Sequence, residues 1–173
     1  MKSKSKSDYK ILIADRGNLQ FEYPRKWKCT PKEGGIIRLE DPQEDCALEV
    51  SYLTLPKVDI PLPSPREQMT WLIEKDNLQV DESDIEVSEL NGQQCASVEY
   101  FYDDAKEHRQ ARALVAIVSN GRFQALVTFY YWPEHYLRFR PAAQRMLDSL
   151  VLGDGFQFAS PRQALELLAG PKN

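Results

Sequence analysis

Two histidines, three cysteines and a set of acidic clusters are the side chains here that could do chemistry, and spacing decides how much they can do. His108 sits in Asp103-Asp104-Ala105-Lys106-Glu107-His108, which reads as a charged loop between strands. His135 falls in the first turn of a helix after Pro133. General acid–base work needs a partnered, partly buried imidazole. Neither position suggests one, so both read as surface histidines. Cys29, Cys46 and Cys95 form no C-x-x-C pair, which leaves zinc and thioredoxin-like chemistry without support. They read as small buried thiols in a reducing compartment, although Cys29 and Cys46 lie on neighbouring candidate strands where a bridge is conceivable. The acidic clusters are Glu40, Asp41, Glu44 and Asp45, then Asp81, Glu82, Asp84 and Glu86, then Asp103 and Asp104. Calcium needs roughly six to eight oxygens about one point. None of these clusters has EF-hand spacing, so they read as solvated loop charge. No Gly-x-Ser-x-Gly, Walker or dinucleotide loop is present. No catalytic, metal-ligating or cofactor-binding residue is therefore assigned, and no cofactor is expected.

Aromatic side chains are the better lead. Tyr100, Phe101 and Tyr102 end one strand-like run, and Phe129, Tyr130, Tyr131 and Trp132 end another. Core packing accounts for most of them. The remainder define a candidate partner patch of Tyr130, Tyr131, Trp132, His135 and Arg138, a composition enriched at protein-binding hot spots.

The elements that would carry these residues are readable. Lys10–Ala14 and Leu19–Tyr23 read as strands around the turn Asp15-Arg16-Gly17-Asn18. Ile36–Glu40 and Ala47–Leu55 follow. A connector with Pro56, Pro61 and Pro63 then leads to a helix start at Ser64, with Pro65 at the first position and Glu67 completing a capping box. Met69, Leu72 and Ile73 form its apolar stripe, and Trp71 lies off that stripe, where it is expected to cover a loop. Asn91-Gly92 and Asn120-Gly121 each fit a two-residue type I′ turn. The first pairs Val87 with Ala96. The second pairs Val118 with Phe123, Ala116 with Ala125 and Leu114 with Val127. Both faces of this second hairpin are apolar, so it should be central in its sheet and covered on both sides. After Pro133 an amphipathic helix presents Phe139, Ala143, Met146, Leu147 and Leu150. Ser160-Pro161 starts a short C-terminal helix with Ala164, Leu165, Leu167 and Leu168, ended by Gly170 and Pro171.

The 173 residues carry 42% hydrophobic and 28% charged side chains with a net charge of −4. That length and composition fit one globular domain. The negative balance disfavours non-specific nucleic-acid binding, which draws on Lys and Arg neutralising phosphates. The basic start, with Lys2, Lys4 and Lys6, leads into no signal-peptide core, and no run approaches the length needed to span a bilayer. The expectation is a cytoplasmic protein with no membrane and no nucleic-acid partner.

The element order, headed by Phe21-x-Tyr23-Pro24-x-x-Trp27, resembles the PsbP-like superfamily over residues 10 to 152. That group includes the photosystem II extrinsic subunit, a Ran-binding nuclear import factor and many bacterial proteins without known function. The resemblance implies an α+β fold, an α/β/α sandwich around a central antiparallel sheet, here with helices near 65–76, 134–150 and 161–169. It implies binding rather than catalysis, and Phe21, Tyr23, Pro24 and Trp27 look structural. The chain shows no transit segment and no lipoprotein cysteine near its start, unlike the photosynthetic and lipoprotein branches. The expected organisation is a flexible basic tail over 1–8, a PsbP-like domain over 9–152 and a C-terminal extension over 153–173. Two readings of function follow. One is a non-catalytic module that binds a protein partner or a second copy. The other is a small-ligand carrier or enzyme with a site built from dispersed residues, which a deep pocket holding His108, His135 or converging carboxylates would favour.

Overall fold

In a computed structural model the described residues are 8–57 and 59–153. The chain opens with strands β1 (Tyr9–Ala14), β2 (Leu19–Pro24), β3 (Lys28–Pro31), β4 (Ile37–Glu40) and β5 (Cys46–Thr54). Helix α1 (Pro65–Asp76) precedes β6 (Glu86–Leu90), β7 (Gln93–Asp104), β8 (Arg109–Ser119) and β9 (Phe123–Tyr131). Helix α2 (Tyr136–Asp148) and the two-residue β10 (Val151–Leu152) complete the order. Residues 1–7 of the expected flexible tail (1–8) and the expected C-terminal helix (161–169) lie outside the described residues.

Seven strands form one antiparallel sheet in the order β3-β4-β5-β9-β8-β7-β6, and β1, β2 and β10 form a second. The hairpin of β8 and β9 sits inside the large sheet with apolar layers on both sides, as its two apolar faces demand. On one face Leu114, Ala116, Val118, Phe123, Val127 and Phe129 pack against the small sheet and α2. On the other, Val115 and Ile117 join Ala96 and Val98 beneath Met69 and Ile73 of α1. The result is an α/β/α sandwich in which the small sheet shares one outer layer with α2.

Local chemistry explains the element starts. The Ser64 hydroxyl accepts from the Glu67 amide at 3.3 Å, and the Glu67 carboxylate accepts from the Ser64 amide at 2.7 Å. This satisfies two helix-end donors. Asn77 closes α1 in the left-handed conformation, φ 50°. Asn91 and Gly92, at φ 52° and 75°, make the expected type I′ turn and set Val87 opposite Ala96.

The second hairpin departs from its expected register. Val118 pairs with Ala125, Ala116 with Val127 and Leu114 with Phe129. The turn is Gly121-Arg122, not Asn120-Gly121, and only Gly121 has positive φ, at 83°. Asn120 is spent otherwise: its Oδ1 accepts from the amides of Arg122 at 3.0 Å and Phe123 at 2.7 Å. Moving the turn by one residue slips the pairing by two. An even slip keeps each side chain on its own face, so the reading of both faces holds.

Three further differences are local. β3 and β10 are short strands without a sequence signature of their own, and each is made by its neighbour. α2 starts at Tyr136 because Pro133–His135 forms a single tight turn first. Cys29 lies exposed on β3, opposite Leu39 of β4, whereas Cys46 lies buried on β5 opposite Tyr131 of β9. A whole strand separates them, and all three cysteines are free.

Side chains from both hairpin turns hold the end of the described chain. Asn91 Nδ2 donates to the carbonyls of Asp148 and Leu150 at 2.8 and 3.1 Å. Buried Gln93 donates to the Leu150 carbonyl at 2.9 Å and accepts from the Leu152 amide at 2.6 Å. Asn120 Nδ2 donates to the Leu152 carbonyl at 2.9 Å.

Candidate functional site

Because α1 lies across β7 and β8, it leaves the same face of β4, β5 and the far end of β9 uncovered. Alternation along these strands decides what that open surface presents. Arg38 and Glu40 come from β4, Ala47 and Glu49 from β5, and Thr128 and Tyr130 from β9. Tyr100 and Tyr102 come from β7 on the far side of Ala111 and Ala113, whose small side chains let the rings meet. Tyr102 packs edge-on against Tyr130 with centroids 6.2 Å apart, and Tyr100 lies 6.3 Å from Tyr102. The outcome is an open groove of about 440 Å³ with Arg38, Glu40, Glu49, Tyr102, Tyr130 and Trp132 on its walls.

Its polar residues are largely paired with one another. The Arg38 guanidinium donates to Glu40 and to Glu49, each at 2.7 Å. That hydrogen bond holds the Glu40 carboxyl below its ordinary range. Burial, then the Asp104 charge, push the Tyr102 hydroxyl up to about 12, and burial raises Tyr100 and Tyr130 too. All three tyrosines are therefore neutral near pH 7 and act as hydrogen-bonding, ring-bearing surfaces rather than phenolate nucleophiles. Burial likewise pushes the Cys46 thiol far up.

The five residues of the expected patch do not form one surface. Tyr130 and Tyr131 are neighbours on a strand, so they point to opposite faces. Tyr130 lines the groove, whereas Tyr131 is 2% exposed in the core and donates its hydroxyl hydrogen bond to Glu99. Trp132 stands at the groove edge with the Arg109 guanidinium 3.4 Å over its ring, and Arg109 also pairs with Glu134 at 2.8 Å. His135 and Arg138 serve the loop between β4 and β5. Arg138 reaches Asp41 at 3.2 Å and Asp45 at 3.4 Å, and the His135 Nε2 lies 3.6 Å from Asp45. Asp41, which the sequence reading placed among solvated loop charges, is instead buried at 3% exposure. Its carboxylate accepts from the amides of Asp45 at 2.8 Å and Cys46 at 3.2 Å.

His108 is exposed in the β7–β8 turn, and neither histidine lines the groove. Among the described residues no group of three or more His, Cys, Asp or Glu side chains is placed to hold a metal ion. No helix among them is long and apolar enough to cross a membrane.

Cys29 differs from the other two cysteines in being exposed, although burial of its sulfur raises its thiol above the ordinary value. A thiol count with a chromogenic disulfide at mildly alkaline pH should find one slowly reacting group in the folded protein and three in denaturant. Three in the folded protein would mean that Cys46 and Cys95 are not enclosed.

Comparison with known proteins agrees with the architecture. The model of the family described as Alr1449 matches residues 10–156. A relative described as uncharacterized protein alr1449, from Nostoc sp., is 31% identical over 152 residues, covering 84% of this chain and 78% of the relative. Among solved structures, cyanobacterial PsbP from Synechocystis sp. PCC 6803 superposes with TM-score 0.63 at 13% identity, over 88% of this chain and 97% of that one. LpqN, described as involved in cell envelope biogenesis of Mycobacterium tuberculosis, superposes with TM-score 0.56 at 15% identity, over 83% and 89%. A structure from Bacteroides thetaiotaomicron reaches TM-score 0.66 at 13% identity over 87% of this chain, which spans about half (51%) of that longer protein. At these identities the structural likeness shows a PsbP-like fold and nothing finer.

Proposed function

The chain belongs to the Alr1449 family, and we propose that it is a non-catalytic binding module whose partner, a protein, docks on the groove left open beside α1. The observation that carries this reading is the incomplete cover of the large sheet. Its inner strands are buried on both faces, yet the span from Arg38 to Tyr130 and Tyr102 carries half-exposed rings and paired charges. Tyrosine and arginine are the side chains that protein interfaces favour, because one end is apolar and the other makes hydrogen bonds. The groove also carries Glu44, Asp45, Asp104 and Glu107 alongside Glu40 and Glu49, against Arg38 and Lys106. That excess of carboxylates disfavours a phosphate backbone as the ligand. The three neutral tyrosines and the absence of either histidine from the walls favour recognition over group transfer.

The test compares immobilised wild-type protein with the double variant Tyr102→Ala/Tyr130→Ala. The variant should lose at least about tenfold of the affinity for a specifically retained protein, the scale of one hot-spot ring, while its near-ultraviolet circular dichroism keeps the wild-type form. Equal affinity in a folded variant sinks the reading. Retention of another copy of the chain alone, seen as a size change on sedimentation, replaces the protein partner with self-association.

A further inference from the structure

A second surface on this face has a different character. Trp71, 55% exposed on α1, and Leu53, 50% exposed on β5, face one another across a trough of about 410 Å³. Leu55, Leu62, Leu72 and Leu126 are among its other apolar walls. Trp71 therefore walls an apolar trough together with Leu62 and Pro63 of the loop before α1. Two large exposed apolar side chains bordering one depression are the pattern of a surface with an occupant.

The position of the chain end identifies that occupant. The Leu152 carbonyl is held by Asn120, and the Gly153 amide donates to the Asn18 carbonyl at 3.1 Å. The last described residue thus lies beside the β8–β9 turn. The same turn borders the trough's entrance: the Leu55 amide donates to the Arg122 carbonyl at 2.7 Å. A cleft between Gly121 and Arg122 on one side and the start of α1 on the other opens there. It shares Leu55, Leu62 and Pro63 with the trough. Gln124 of the trough floor pairs with Ser119, the residue before Asn120, and Leu126 lies two residues further along β9, so the floor is about 5 to 12 Å from Asn120. Residues 154–160 can span up to about 23 Å when extended. Beyond them the sequence offers Leu165 and Leu168, three apart, after the Ser160-Pro161 cap, with Phe156 and Phe158 in the approach.

We propose that the C-terminal segment 154–173 docks back on its own domain, with Leu165 and Leu168 covering Trp71 and Leu53 in the trough. One arrangement answers two otherwise separate facts: an apolar trough without cover among the described residues, and an apolar sequence that follows a residue placed within reach of it. Tethering raises the effective concentration of the segment to the millimolar range. Few contacts then suffice to hold it, and a competing ligand can displace it.

Lys75 lines the trough and Lys172 is the next-to-last residue of the segment, which supplies a direct test on the full chain. A short amine-reactive cross-linker should join Lys75 to Lys172 within the monomer. Leu165→Glu/Leu168→Glu should abolish that link and shift Trp71 emission to longer wavelength, read in a Trp132→Phe background with Trp27 buried. No such link in the wild-type monomer, or one that survives the double substitution in a folded protein, overturns the proposal. A link found only between chains also overturns it, since a second copy then fills the trough. The wild-type measurement stands even where the double variant does not fold.

Discussion

Trp27→Ala should lower unfolding free energy by about 3–5 kcal/mol, the range for truncating a large core ring. The indole is 6% exposed and lies between the large sheet and the layer that α2 shares with the small sheet. It stacks at 5° on Phe129 of β9 with centroids 6.1 Å apart, and presents its face or edge to Phe139 of α2 at 6.2 Å and 72°. The turn after Pro24 fixes its approach, since the Trp27 amide donates to the Pro24 carbonyl at 3.0 Å. A smaller side chain leaves a void between a strand and a helix that are each held by other contacts, so the site cannot collapse to refill it. Urea unfolding followed by circular dichroism measures the loss. A variant that unfolds at the wild-type midpoint would return Phe21, Tyr23 and Trp27 to the set of functional aromatics.

Asp41→Ala should cost about 3 kcal/mol, more than the loss of any exposed ion pair in the molecule. The carboxylate is buried, and it organises the loop between β4 and β5 by accepting from the amides of Gln43, Asp45 and Cys46. Alanine leaves those donors without a partner and strands part of the Arg138 charge. Arg138 itself is half exposed, so Arg138→Ala should cost roughly 1 kcal/mol or less. The contrast between the two variants in the same urea titration separates the parts. If both cost the same, the ion pair rather than the amide contacts holds the loop.

Much of the fold was legible because short-range chemistry dictates it. Ser64, Pro65 and Glu67 specify a helix start with few alternatives, and Asn91-Gly92 specifies one turn geometry. The apolar content of both faces of β8 and β9 announced a covered, central hairpin before any partner element was known. Asn120-Gly121 carries the same dipeptide as the first turn but answers to a longer-range demand, the Leu152 carbonyl that its side chain binds. The site was less legible. Period-two alternation alone separates Tyr130 from Tyr131, so one aromatic run divides between two faces of the sheet. Arg38 and Glu40, two apart, share a face for the same reason, but their partner Glu49 emerges only from the β4–β5 register. Asp41 reads like its acidic neighbours because burial is decided by the packing of α2, far along the chain.

The fastening of Leu150 and Leu152 by Asn91, Gln93 and Asn120 bears on how the protein is made. The N-terminal β2 waits for β10 as its outer partner, so the small sheet is finished by almost the last residues of the fold to leave the ribosome. Synthesis at roughly 5–20 residues per second leaves about one to four seconds between the end of β9 and the arrival of that strand, and longer for the first hairpin. By then both tips already present the side chains that receive it. The last strand completes a surface prepared for it, and a nascent chain stalled before Leu150 would expose the underside of its core to chaperones.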